Sequence, residues 1–502
     1  METSWAAEEM AQAQIGDERS RGNLIQICSL LAAQPGISFS VACGESKRKS
    51  GYRLFQQKRT TPQGLLYGHY KRTVQRCEQM NLPLVLVASD TTSIDYTNHK
   101  ATKGLGPITT AQNCRGFLTH SALALTTKGI PIGLLHQKHI VRPINEENKN
   151  DNVSKNEDAL SILEAKKART REKYLAKNRP YEEKESYKWL ESLYAVEDSL
   201  PESQPVLMIQ DREADIFEFL NAPRRANTHL LIRAAYPRRV IVQTEEVFQK
   251  TEEVEPVAQE ILLLFDAVDR SAVRTTHVIE VGRKPDRPAY QATLEIKYIQ
   301  ARILASRSLV NAGRVSGKSC EGPLVWVIQA REKQDSISDK DPLCWVLIST
   351  LPVNDDLSAI NITQYYAYRW QIERFHFVLK SGCQVEKLQM NTVSSLQKAL
   401  SLYSVVAWFL LYLTYLGRSD PDTPSEVLLD PSLLQVVSAG ERRPVKTAGD
   451  LIFALGKIGG FRRLPSAPFP GVKSLWLGLR RLHDRYEGWK LAYEVIQNAG
   501  QD

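Results

Sequence analysis

Two short apolar runs, each closed by an aspartate, constrain this chain more than any other feature. Residues 82–93, LPLVLVASDTTS, read as a buried strand ending at Asp90, and VLMIQ runs directly into DREADIFEFL at 211–220. Aliphatic runs without polar alternation belong to strands covered on both faces, the central positions of an α/β sheet. A carboxylate at the C-terminal tip of such a strand lies on the rim where ligands bind. Each aspartate also has a plain structural reading, Asp90 as a turn or cap residue and Asp211 as the N-cap of a following helix. Two tips on adjacent strands could instead hold divalent cations through hard oxygen ligands.

The rest of the pattern is mixed α/β. Residues 1–80 place apolar positions at helical spacing in NLIQICSLLAAQPG and LLYGHYKRTVQRCEQM. GFLTHSALALT and IPIGLLHQKHIV, turning around Lys128–Gly129, predict an antiparallel hairpin. A highly charged helical stretch (154–195) follows, then a short strand HLLIR at 229–233. Alternating hairpins fill 238–340, as in YQATLEIKYIQARIL at 290–304. A strand WVLIST, an amphipathic helix over 357–380 and a helical remainder from 391 complete the chain. With 502 residues, about three domains are expected. The boundaries read as 1–78, 79–390 and 391–502.

Composition excludes several classes. A content of 42% hydrophobic and 24% charged residues does not fit a disordered, collagenous or multi-span membrane chain. Residues 399–417, ALSLYSVVAWFLLYLTYLG, carry no charge for 19 positions, close to the ~20 needed to span a bilayer. Three tyrosines, two serines and a threonine dilute that run, and charges crowd both flanks, so a buried core helix is expected. The seven cysteines are scattered without a CxxC pair, which argues against a disulfide framework or zinc knuckle and for a reducing cytoplasm. The opening METSWAAEEMAQAQIGDE lacks the basic start and apolar run of a secretory signal.

The net charge of +8 fits a polyanionic partner without requiring one. Between Glu45 and Arg76 there are nine basic residues, among them Lys47, Arg48, Lys49, Arg53, Lys58 and Arg59, and Glu45 is the sole acid. Tyr52, Phe55, Tyr67 and Tyr70 interleave with them. The functional reading is a small DNA-binding domain making phosphate contacts; the alternative is a solvated basic face.

Two apparent sites fail on local context. AGRVSGKS (312–319) loosely fits a nucleotide-binding loop, but a strand-like LVWVIQA follows where a helix N-terminus is required. His136 and His139 have metal-like spacing, yet a three-residue offset in a strand points them to opposite faces.

The segment YYAYRWQIERFHFVLKSG (365–382) is more informative. On a continuous helix at about 100° per residue, Tyr366, Arg369, Glu373 and Lys380 fall within a stripe about 60° wide. Ile372, Phe375 and Leu379 lie on the opposite side and are expected in the core. One face thus presents a carboxylate, two cations and a phenol. Combined with two strand-tip aspartates, it reads as a metal site bordered by phosphate-binding groups.

These residues carry a resemblance. SDTTS with Asp90, DREADI with Asp211, and Y-x2-R-x3-E-x6-K from Tyr366 to Lys380 resemble the bacterial insertion-sequence transposases with an Asp-Asp-Glu triad and a Tyr-Arg-Glu-Lys signature. Similarity extends to the N-terminal helices, the HSALAL and GLLHQ hairpin and LGKIGGF at 455–461. The resemblance implies an α/β ribonuclease-H-like mixed-sheet catalytic core with a β-rich insertion (about 238–340), flanked by a helical DNA-binding domain and a helical C-terminal dimerisation domain. It implies that Asp90, Asp211 and Glu373 bind two Mg²⁺, with Mn²⁺ substituting. Tyr366, Arg369, Lys380 and Arg233 would hold phosphates near the transposon end, and Trp345 would stack on a flipped base, its alternative being a core aromatic. The implied activity is cut-and-paste transposition through a DNA hairpin, on transposon-end and target DNA, by a homodimer in the bacterial cytoplasm at the nucleoid. A stand-alone two-metal nuclease would leave the flanking helical domains without a role, and a catalytically dead regulator would have lost a carboxylate. The C-terminal apolar residues Trp476 and Leu477 are expected to be exposed and to pair across a two-fold axis. The charged stretch 150–187 exceeds the family's pattern, and its residues suggest no role.

Overall fold

The computed structural model describes residues 4–109, 113–144, 179–243, 259–281, 290–311, 313, 315–333, 342–465 and 467–499. Most of the charged stretch 150–187 therefore lies outside the described residues. The N-terminal helices are α1 (Trp5–Met10), α2 (Glu18–Ala33), α3 (Phe39–Ala42), α4 (Gly44–Gln56) and α5 (Pro62–Gln79). Their starts are set locally. Asp17 accepts the Ser20 N–H at 2.8 Å, and Thr61 caps α5 ahead of Pro62, whose fixed φ suits a first helical turn.

The chain then forms β1 (Val85–Asp95), β2 (Gly106–Pro107) and the expected hairpin of β3 (Arg115–Leu125) and β4 (Pro131–Ile140). Next come α6 (Lys188–Ser199), β5 (Val206–Gln210), α7 (Phe217–Leu220), β6 (Thr228–Arg233), β7 (Arg239–Gln243), β8 (Gln259–Leu263) and α8 (Leu264–Asp269). They are followed by β9 (Thr275–Val281), β10 (Tyr290–Leu304), α9 (Arg307–Asn311), β11 (Glu321–Glu332) and β12 (Cys344–Ser349). The final helices are α10 (Asp356–Ala367), α11 (Trp370–Phe377), α12 (Val393–Ser419), α13 (Pro431–Glu441), α14 (Ala448–Ile458) and α15 (Val472–Ala499).

The chain divides into two compact units. One comprises 1–82, 90–144 and 370–502; the other comprises 83–89 and 145–369. Strand β1 belongs to both. Its first half, Val85–Ala88, pairs in parallel with β5, which pairs in parallel with β6. Hydrogen-bonded neighbours run β4-β3-β1-β5-β6, with β3 and β4 antiparallel, and this order is ribonuclease-H-like. From β6 the ladder continues through β12, β11, β10, β7 and β8, so the β-rich insertion extends the same sheet. Gly317–Cys320 form a single 3₁₀ turn that runs straight into β11, and no α-helix follows to supply a phosphate loop with its amides.

In the first unit the core is built around α12. Its 27 residues are long and apolar enough to cross a membrane, but the helix is packed inside the protein along nearly its whole length. Gln137 bridges Ser121 and Ser404, and His139 binds Thr119 and Ser401 through its two ring nitrogens at 3.0 and 3.1 Å. His139 is thus a half-buried structural histidine with both ring nitrogens satisfied, and desolvation holds its pKa down at about 3.

Three sequence expectations need correction. The helix over 357–380 is interrupted: α10 ends at Ala367, Tyr368 and Arg369 form a tight turn, α11 follows, and Val378–Gly382 is a π-turn. The 60° stripe therefore does not exist as one helix face, although Ile372, Phe375 and Leu379 are fully buried as expected. Asp90 does not end its strand, because β1 continues to Asp95 through β-branched Thr91 and Thr92. Trp476 is buried and Leu477 is half-buried: the Trp476 ring lies 5.5 Å from Phe377 and would clash with any side chain at Gly382. The exposed apolar residues of α15 come later, at Trp489, Leu491, Tyr493, Val495 and Ile496.

Candidate active site

The second unit gathers one cluster around Asp211. This aspartate stands directly after β5, and its carboxylate accepts the Glu213 N–H at 2.9 Å as the cap of a 3₁₀ turn. Burial pushes the carboxyl above its usual range, assisted by the Glu213 charge and opposed by the Glu213 N–H, Arg369 and Lys188. Tyr366 is almost fully buried. Burial raises its phenol pKa against Arg369, which also hydrogen-bonds it, and Arg233. Trp345, half-buried on β12, meets the Tyr366 ring edge-to-face at 5.3 Å. Arg233 donates from Nη2 to the Cys344 carbonyl at 3.0 Å, while its buried Nε has no hydrogen-bond partner among the described residues. The fold thus brings together Asp211, Tyr366, Arg369, Arg233 and Trp345.

Sequence reasoning missed two supports of this cluster. Lys188, 6% exposed, pairs with Glu213 at 3.3 Å. Asp215 is buried and pairs with Arg238 at 2.6 Å while accepting the Ala235 N–H at 2.8 Å, which pins the loop after Arg233. The DREADI string hinted at Asp215, but its partners lie about twenty residues on.

The first unit holds the other carboxylates. Asp90 begins the half of β1 that is no longer fully buried. His376 Nδ1 lies 3.7 Å from its Oδ2, and the next residue, Thr91, binds His120 Nδ1 at 2.9 Å. Glu373 is half-buried on α11. That helix is seated by Ile372 and Phe375 in the core, and by Arg374 and Gln371 on the Tyr415 hydroxyl at 3.0 and 2.7 Å. Lys380 donates to the Ser93 carbonyl at 2.9 Å and pairs with Glu386 at 3.1 Å. The chain passes between these units at 82–83, 89–90, 144–145 and 369–370.

The basic segment is only partly a solvent-facing face. Lys49, Arg53, Lys58 and Arg59 are exposed, and Lys47 and Arg48 are half-buried, with Lys47 bound to Asn23 at 3.0 Å. Phe55 is core, Arg72 pairs with Glu8 at 2.6 Å, and Arg76 is buried against Glu9.

The fit of a divalent cation rests on the donors. All three sequence-predicted ligands are carboxylates, the hard oxygen donors such ions prefer. Asp211 is a carboxyl whose ionisation burial disfavours, the state that an added cation would relieve. Among the described residues no three His, Cys, Asp or Glu side chains gather as a ready-made cage.

Comparison with known proteins names the family. Residues 134–410 match the family described as "Transposase DDE domain", and residues 2–60 match "Transposase DNA-binding". The first span is more than half of the 502 residues, and the chain belongs to the DDE transposases. Asp211 and Glu373 fall inside it; Asp90 precedes it. The exposed cations of α4 and the loop after it lie within the DNA-binding match. Among solved structures, similarity extends to "Cryo-EM structure of piggyBac transposase synaptic complex with hairpin DNA (SNHP)", at 7% identity and TM-score 0.30, over 81% of this chain and 72% of that one. The protein is a transposase, an enzyme acting on DNA and of a class dependent on divalent metal.

Proposed function

We propose that this transposase works by cut-and-paste, in the manner of the insertion-sequence group typified by the transposase of composite transposon five. The observation that carries the reading is the cluster around Asp211. It sets one carboxylate beside two guanidiniums, a phenol and an indole. That is a complement for a DNA phosphate and an unstacked base. Asp90, Asp211 and Glu373 would hold two Mg²⁺, with Mn²⁺ able to substitute. When bound, such a pair lowers the pKa of the attacking water or 3′-hydroxyl and stabilises the leaving oxygen.

The chain's own groups do the rest. The exposed cations Lys49, Arg53, Lys58 and Arg59, with Lys47 and Arg48, bind the duplex by phosphate neutralisation, so end affinity falls steeply with salt. Arg369 and Arg233 fix the end phosphate. Tyr366 lends its hydroxyl to the same anion. Trp345 offers its ring to a base extruded when the end closes into a hairpin, which lowers the strain of a sharp bend. The sequence of steps is nick, hairpin closure, hairpin opening and joining to target DNA.

Joining separates this reading from that of a nuclease. Purified protein given pre-cut ends and a supercoiled plasmid should yield plasmids carrying covalently joined ends. Free cut ends alone would favour the nuclease. Trp345→Ala should weaken base stacking by roughly 1–3 kcal/mol and slow hairpin formation while sparing the first nick. A quench-flow time course resolving both steps checks this, and equal losses at both would indicate a packing defect.

Two ends joined in one event call for two protomers, and the exposed apolar residues Trp489 to Ile496 of α15 are the proposed homodimer contact. Truncation after about residue 485 should leave single-end binding and remove the paired-end complex in a gel-shift assay. Survival of the paired complex would place the contact elsewhere.

A further inference from the structure

We infer that Glu386, with Lys380, is a positioning residue that braces the Asp90 strand against the helix of Glu373; this rests on the reading of Asp90 and Glu373 as catalytic carboxylates. After the π-turn the chain reverses through Gln384, whose φ of +53° is left-handed. That reversal returns Glu386 to the outer half of β1. Its Oε1 accepts the Asp95 N–H at 3.0 Å and pairs with Lys380 at 3.1 Å. Lys380 also donates to the Ser93 carbonyl at 2.9 Å, and the Tyr96 hydroxyl donates to the Val385 carbonyl at 2.7 Å. His376, one turn after Glu373, closes on Asp90 at 3.7 Å.

These contacts fall at positions 90, 93 and 95 of β1 and 96 just beyond it, and at 376, 380, 385 and 386 of one segment. They clamp the strand where its pairing with β5 has already ended. Without them the outer half of β1 would lose its tie to the segment that carries Glu373. The consequence for Lys380 is specific. An ammonium has three donors, and two are spent on Ser93 and Glu386. Its neighbouring carboxylate also cancels its charge as seen by DNA. Lys380 therefore acts on the geometry of Asp90 and contributes little to end affinity.

The test uses the full-length protein and a duplex of the element's own terminal repeat. Glu386→Ala should lower single-turnover nicking about 10- to 100-fold, the scale of an ångström-level misplacement. End affinity should not fall. Glu386→Gln should recover most of the rate, because the amide oxygen still accepts both hydrogen bonds. Amide hydrogen exchange should quicken in a peptide containing Asp95 in the alanine variant alone. Lys380→Ala should match Glu386→Ala, the double variant should be no worse, and the salt dependence of end binding should not change. A salt slope reduced by about one for Lys380→Ala would make Lys380 a phosphate contact and overturn the brace. So would a wild-type nicking rate for Glu386→Ala, or a glutamine variant as impaired as the alanine. Asp90→Ala is run in parallel. If it nicks normally, the reading of the site itself has failed. If it is inactive while Glu386→Ala is normal, only the brace has failed.

Discussion

Asp90→Ala, Asp211→Ala and Glu373→Ala are each expected to abolish nicking, a loss of at least about 10³-fold, equivalent to roughly 4 kcal/mol of transition-state stabilisation. Each removes a proposed cation ligand. End binding should persist, since the proposed duplex contacts are the exposed cations around α4 rather than the carboxylates. Asp211→Ala has a second effect to control. It removes the cap on the Glu213 N–H, which costs about 1 kcal/mol of local stability. Asp211→Asn keeps an acceptor there and should be equally inactive. Single-turnover nicking beside a gel shift on the same preparation checks both parts. Comparable nicking by any one variant would remove that residue from the site.

Glu9→Ala should be the most destabilising single change in the first unit, at about 3–5 kcal/mol, because it strands a buried guanidinium. Glu9 is 2% exposed. It accepts from Arg76 and from His69 Nδ1, while His69 Nε2 accepts the Leu134 N–H at 2.9 Å. The neutral His69 tautomer is therefore the one protonated at Nδ1. Arg76 also donates to the Ile132 carbonyl at 2.8 Å and lies over the Trp408 ring at 4.3 Å. One network thus ties α1, α5, β4 and α12 together.

Burial alone would raise the Glu9 pKa, but Arg76 and then His69 outweigh it and hold the carboxyl down at about 2, against 4.5. In that window the unfolded chain binds the extra proton. The stabilisation, about 3 kcal/mol, is complete above pH 4.5 and is lost as pH falls towards 2. Denaturant titrations across that range should show the acid limb, and Glu9→Gln should flatten it. An unchanged limb in the glutamine variant would assign acid sensitivity to other carboxylates.

What the sequence made legible follows from the range of the interactions involved. Strand β10 was readable at Tyr290–Leu304 because its alternation reports a half-buried sheet position. The apolar runs before Asp90 and Asp211 were readable because a strand covered on both faces leaves no polar positions. The break at Tyr368–Arg369 left no such mark. No proline or glycine lies between 356 and 377, and the turn is held by Tyr368 and Arg369 N–H groups bonding carbonyls three and four residues back. Arg76 and Phe55 read as part of a basic, aromatic-rich surface, yet both are buried, one by a glutamate 67 residues away. Glu386 was invisible for the same reason: its partner amide is 291 residues distant, and no local pattern encodes that contact.

Whether the carboxylates act on DNA at the element's own ends is decided by mapping the products formed from a duplex that joins the terminal repeat to its flank. With Mg²⁺, the wild-type protein should release a 3′-hydroxyl at the repeat–flank boundary and then a hairpin of doubled length on a denaturing gel. Glu373→Gln should yield neither product. Cuts scattered away from the boundary, cleavage that persists in chelator, or a fully active Glu373→Gln would contradict the account.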